Sequence, residues 1–167
     1  MGYLTEFNQL YEELQGKGVE VYAITAQTQD LVDQLRRDLN LQFECFSDPT
    51  HILRNYLAEQ DLIDIRISGV ETPTEGKFYK VYSNYRNYSH GYAQPGVLCM
   101  TPDRTVQYSW AIEPSTMNLG GASDRPVPAD IWSIVQLKMT GKASEQEIEQ
   151  AYSRVRRRGN CSICTIL

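Results

Sequence analysis

Residues 3–25 read YLTEFNQLYEELQGKGVEVYAIT, and their hydrophobic period changes halfway along. Leu4, Phe7, Leu10, Tyr11 and Leu14 recur at helical spacing, which predicts an amphipathic helix over 2–16. Gly16 and Gly18 stop it. The following VEVYAIT run, 19–25, is β-branched and apolar and predicts a buried strand. Thr28 can cap a second helix with Leu31, Val32, Leu35 and Leu39 on its inner face. Residues 43–57, FECFSDPTHILRNYL, repeat the scheme. A short strand at 43–46 is followed by a helix opened by SDPT, with Pro49 near its first turn. Ile52, Leu53, Tyr56 and Leu57 are expected to face inward. Helices alternating with buried strands imply an α/β sheet covered on both faces.

Farther along, LIDIRIS (62–68) alternates like a strand. Tyr79, Tyr82, Tyr85 and Tyr88 lie three apart in FYKVYSNYRNYSHGY. They could form a base-stacking platform, but basic residues are few there, and a tyrosine-rich insertion packed on the domain is the better reading. QPGVLCM (94–100) and TVQYSWAI (105–112) predict two strands joined by the turn TPDR. GGASDRPVPADIW leads into a last helix over 128–139 whose apolar face uses Ile131, Trp132, Val135 and Leu137. The expected organisation is one domain over 1–140 and a flexible basic tail over 141–167, which opens with polar helical residues after Gly141.

Composition excludes several function classes. The chain has 167 residues, long enough to bury a core, and a net charge of −5, which argues against bulk nucleic-acid binding. The charge is uneven. Residues 154–167 hold Arg154, Arg156, Arg157 and Arg158 and no acid, so the other 153 residues carry −9. No apolar run is long enough to span a bilayer, and the first residues carry no secretory signal. Glu6 stands where a myristoylation signal wants Ser or Thr. Four cysteines in this context point to a reducing, cytoplasmic compartment.

The order of these segments resembles the peroxiredoxin-like group of the thioredoxin superfamily, the alkyl hydroperoxide reductase/thiol-specific antioxidant type. The resemblance rests on YLTEFNQLYEELQGKGVEVYAIT, FECFSDPTHILRNYL, AQPGVLCM and MNLGGASDRPVPADIW, and covers roughly residues 3–139. It implies a thioredoxin-like sheet and thiol-dependent antioxidant chemistry with a thiol reductant as partner. It also implies a reactive cysteine at the start of the first matched helix, where the helix N-terminus favours thiolate. Met1, Gly2 and Tyr3 stand there instead, and the central strand that the family places between VYAIT and GVLCM is missing. The expected sheet is therefore N-terminally incomplete. Two readings follow. The natural protein starts upstream of Met1, which is preferred, or it has lost its reactive end. Open sheet edges would call for a rearranged sheet or a borrowed strand, which admits a homo-oligomer. The resemblance further implies a cis Gln94–Pro95 bond facing a groove that Asn118 and Arg125 could line.

No other residue supplies the chemistry, so no catalytic residue is assigned. Cys45 and Cys99 sit in strand patterns, where a cysteine is usually an unreactive small hydrophobe. His51 and His90 form no metal-ligand array with them, and no metal or cofactor is expected. The remaining cysteines belong to the ending RVRRRGNCSICTIL. No strand precedes this Cys-x-x-Cys and too few residues follow it for a redox helix. Cys164 is fourth from the end with Leu167 last, which fits a geranylgeranylation signal, with Thr165 a departure from its aliphatic pattern. One lipid anchors only marginally. Cys161 as a palmitoylation site and the arginines at 154 and 156–158 would supply the second signal. The expectation is a peripheral protein on the cytosolic face of a membrane. The alternative is a non-enzymatic, membrane-anchored interaction module with a degenerate thioredoxin fold.

Overall fold

A computed structural model describes residues 2–68, 90–112 and 125–159, with side chains of the last helix as far as Val155. The elements are α1 (Tyr3–Gly16), β1 (Tyr22–Thr25), α2 (Gln29–Asp38), β2 (Glu44–Ser47), α3 (Ile52–Glu59), β3 (Ile67–Ser68) and β4 (Tyr92–Ala93). They continue with β5 (Gly96–Met100), β6 (Val106–Ala111), α4 (Pro128–Thr140) and α5 (Glu145–Gly159). Contacts gather the chain into two compact units, Met1–Ala93 and Gln94–Leu167. The expected tyrosine-rich insertion, Asn118, Cys161 and Cys164 lie outside the described residues.

In the first unit β1 and β2 pair in parallel, Tyr22 opposite Glu44 and Thr25 opposite Ser47. Strand alternation sends Ala23 and Cys45 to one face and Tyr22, Ile24 and Phe46 to the other. The first face is the core. Val32, Leu41, Phe43 and Cys45 are buried there, with Leu4, Phe7, Tyr11, Val21, Ala23 and Leu39 packed around them. Tyr11 of α1 meets Phe43 at 5.8 Å between ring centroids. Asn8 ties α1 to the turn before β2, donating to the Asn40 carbonyl and accepting from the Gln42 N–H. The second face is exposed: Tyr22 at 56 %, Ile24 and Phe46 at 47 %.

Helix α3 departs from its expectation in two ways. It begins at Ile52, after Pro49, because Asp48 and not the proline organises its start. The Asp48 carboxylate accepts the Arg54 N–H, and its carbonyl accepts the His51 N–H in a turn that puts His51 at a φ of 59°. Ile52, Leu53 and Tyr56, expected to face inward, are exposed, and Ile52 is 73 % exposed. Leu57, the fourth residue of that stripe, is half-buried. The alternating 62–68 run gives only a two-residue bridge, Ile67 and Ser68 opposite Ala93 and Tyr92.

The second unit is built on the antiparallel β5–β6 hairpin, with Cys99 opposite Tyr108 and a shift of register between Cys99 and Met100. Its turn is closed by the Asp103 carboxylate, which accepts from the Thr101 and Thr105 hydroxyls. Helix α4 packs on β6 through Ile131, Trp132, Ile134 and Val135, all buried. Ile134 is fully buried, while Leu137, expected on the apolar face, is half-buried. Residues 145–159 form a helix packed on α4, where a flexible tail from 141 was expected. A Ser144–Glu147 capping box starts that helix.

The Gln94–Pro95 bond is trans, since the described residues contain no cis peptide. Trans is the lower-energy X–Pro form by about 0.5–1 kcal/mol. Here the Pro95 carbonyl accepts the Ile112 N–H at 3.1 Å and so extends the hairpin into Gly96. The strand does begin directly after the proline, as expected.

Candidate functional site

The C-terminal ends of parallel strands are where open α/β sheets place their chemistry. At the ends of β1 and β2 the polar groups are occupied with one another. Gln29, in the first turn of α2, donates to the Cys45 carbonyl and to the Asp33 carboxylate, and its carbonyl accepts the Ser47 N–H. The Ser47 hydroxyl donates to the Gln27 carbonyl, and the Thr25 carbonyl accepts the Asp48 N–H at 2.7 Å. These bonds hold β2 to α2 and to the loop after β1.

Cys45 points into the first core, with its sulfur 3.8 Å from the Phe43 carbonyl. Burial pushes its thiol up, against a smaller opposing effect of Arg36. Cys99, inside the hairpin, is pushed up to about 11 by burial. A protonated thiol is a poor nucleophile, and burial disfavours the thiolate of both. The start of α1, where the resemblance implies the reactive thiol, is capped by Gly2 in an extended conformation with no side-chain cap.

Three of the four groove candidates, Gln94, Pro95 and Arg125, lie among the described residues. Gln94 is buried at the entrance to β5, and Pro95 is half-buried beside it. Arg125 is half-buried three residues before Pro128. No arrangement of the four residues as one groove lining is described, because Asn118 is outside the described residues. No group of three or more His, Cys, Asp or Glu side chains that could hold a metal ion occurs among the described residues.

Two features escaped the sequence reading. His51 is 4 % exposed, and its Nε2 lies 3.0 Å from the His90 carbonyl. A carbonyl can only accept, so Nε2 carries a proton in this contact, and the buried Nδ1 has no hydrogen-bond partner among the described residues. In the second unit Tyr108 and Tyr152 stack at 5.8 Å and 7° between ring planes, and Lys138 Nζ donates to the Tyr152 hydroxyl at 3.0 Å. Neither could be read from spacing, because His51 and His90 are 39 residues apart and Tyr108 and Tyr152 are 44 apart.

Helix–strand–helix–strand order, a parallel β1–β2 pair with α1 and α2 over one face, and a hairpin followed by a helix define an α/β protein of thioredoxin-like fold. The sequence profile of the AhpC/TSA family matches residues 2–109. This covers more than half of the chain, and the protein belongs to that family. Neither the search of curated proteins nor the search of solved structures found a match.

Proposed function

We propose that residues 1–167 are the scaffold of a thiol-dependent antioxidant oxidoreductase, and that by themselves they turn over no hydroperoxide. The observation that supports this reading is the start of α1. The family resemblance calls for a thiolate on that helix N-terminus, and Gly2 occupies it. Burial raises the thiol pKa of both Cys45 and Cys99, which argues against either standing in. The alternative is a non-enzymatic interaction module, favoured by the exposed apolar face of Tyr22, Ile24 and Phe46. Consumption of hydrogen peroxide and an alkyl hydroperoxide, with thioredoxin or glutathione as reductant, separates the readings. It is measured on residues 1–167 and on any transcript-defined longer form. No turnover by 1–167 is expected. Turnover by a longer form, lost when an added cysteine is replaced, supports the oxidoreductase, and none by either supports the module. Turnover by 1–167 that vanishes in Cys45→Ser or Cys99→Ser overturns both.

The same proposal includes attachment to the cytosolic face of a membrane, through geranylgeranyl on Cys164 with palmitoyl on Cys161. What supports it is the pairing of the terminal Cys-Thr-Ile-Leu with the arginines at 154 and 156–158. No described helix is long and apolar enough to cross a membrane. Fractionation of cells expressing wild type and Cys164→Ser tests the attachment. Wild type is expected with membranes and the variant in the soluble fraction. Equal solubility with no lipid mass on Cys164 ends the idea.

A further inference from the structure

Helix α5 is polar over most of its surface. Ile148, Ala151, Tyr152 and Val155 are half-buried and fall at i, i+3, i+4 and i+7, a single narrow stripe. Its side-chain fastening centres on Tyr152. That ring stacks on Tyr108 of β6, and the hydroxyl accepts from Lys138 of α4, whose Nζ lies 5.2 Å from the ring centroid. Tyr108 is 2 % exposed, roofed in part by this stack. The first turn of α5 is supported without docking. Ser144 and Glu147 satisfy it reciprocally, and Glu145 and Glu147 sit at its positive end. An element held by few apolar contacts opens more often than the core beneath it.

We propose that α5 is a reversible strap. It leaves α4 as a unit while α4 and the β5–β6 hairpin stay folded, and the clasp of Tyr108, Tyr152 and Lys138 sets how often. Opening bares the Tyr108 ring and frees the Lys138 ammonium. The inference is independent of lipidation and of peroxide chemistry.

Amide hydrogen exchange on the full chain tests it, since a free helix of this length is only marginally stable and its amides exchange once it undocks. In the wild type, amides 148–155 are expected to open at least about tenfold more often than those of 131–137. Tyr152→Ala should raise the α5 rate by about another tenfold while α4 and β6 change less than about twofold. Tyr152→Phe keeps the ring and loses the acceptor for Lys138, and should fall between. If α5 exchanges at the α4 rate in the wild type, or if the Tyr152 variants speed α4 and β6 as much as α5, the helix is part of the core and the strap is refuted.

Discussion

Cys99 faces Tyr108 across the hairpin, and burial pushes their side chains up to about 11 and about 12. For Tyr108 burial is the leading cause, with Tyr152 next. Both groups are held neutral in the fold. Their contribution to stability is therefore complete below the unfolded values of 9.0 for the thiol and 10.0 for the phenol. It is lost as pH rises through the folded values, because the unfolded chain then binds fewer protons than the native one. Urea midpoints should fall between pH 9 and 11, and Cys99→Ala should flatten the early part of that fall. An unchanged slope in the variant would remove the thiol from the account. In the first core, Phe43 is 1 % exposed with Tyr11 against it, so Phe43→Ala should lower the unfolding free energy by about 3–5 kcal/mol in urea titration. That both cysteines lie in strands was legible from the runs FECF and GVLCM. The buried His51 was not, because its φ of 59° and its bond to the His90 carbonyl depend on a distant segment.

At the scale of elements, α1, β1, α2 and β2 were legible because each has one strong period and clear stops. α3 shows where that logic ends. Its period was right, but a stripe states which residues share a face and not whether anything covers it. The residues after Gly141 read as polar and helical, but their packing on α4 was not legible because the apolar stripe is thin and charge dominates the composition. The signal present was Ser144 followed three residues later by Glu147. The box holds the Glu147 carboxylate below its ordinary range, chiefly through the Ser144 N–H and then its hydroxyl. A depressed carboxylate stabilises above its unfolded value, and that contribution is lost as pH falls through the folded one. Protection of amides 145–150 should therefore drop at acid pH in the wild type. Ser144→Ala should lower it already at neutral pH and weaken the acid dependence. Equal protection of both proteins from pH 7 to 3 would show that the box does not hold the helix.

Across the whole molecule, the main departure from a closed α/β protein is the outer face of the β1–β2 pair. Tyr22, Ile24 and Phe46 share it through the parallel register, and the Tyr22 and Phe46 rings approach to 6.0 Å. Among the described residues β1 pairs only with β2, so the face lies next to an unpaired strand edge. Apolar surface of this kind favours association and uptake of apolar dyes. The opposite face holds the buried core, so a polar change at an outward position should leave stability largely intact. Phe46 is suited to the test, because its neighbours in sequence, Cys45 and Ser47, point the other way. Phe46→Glu should reduce binding of an environment-sensitive naphthalene dye and reduce self-association in sedimentation, with a thermal midpoint close to that of the wild type. A large fall in the midpoint would mean that Phe46 belongs to a packed interior, and the reading of this face as open surface would then be wrong.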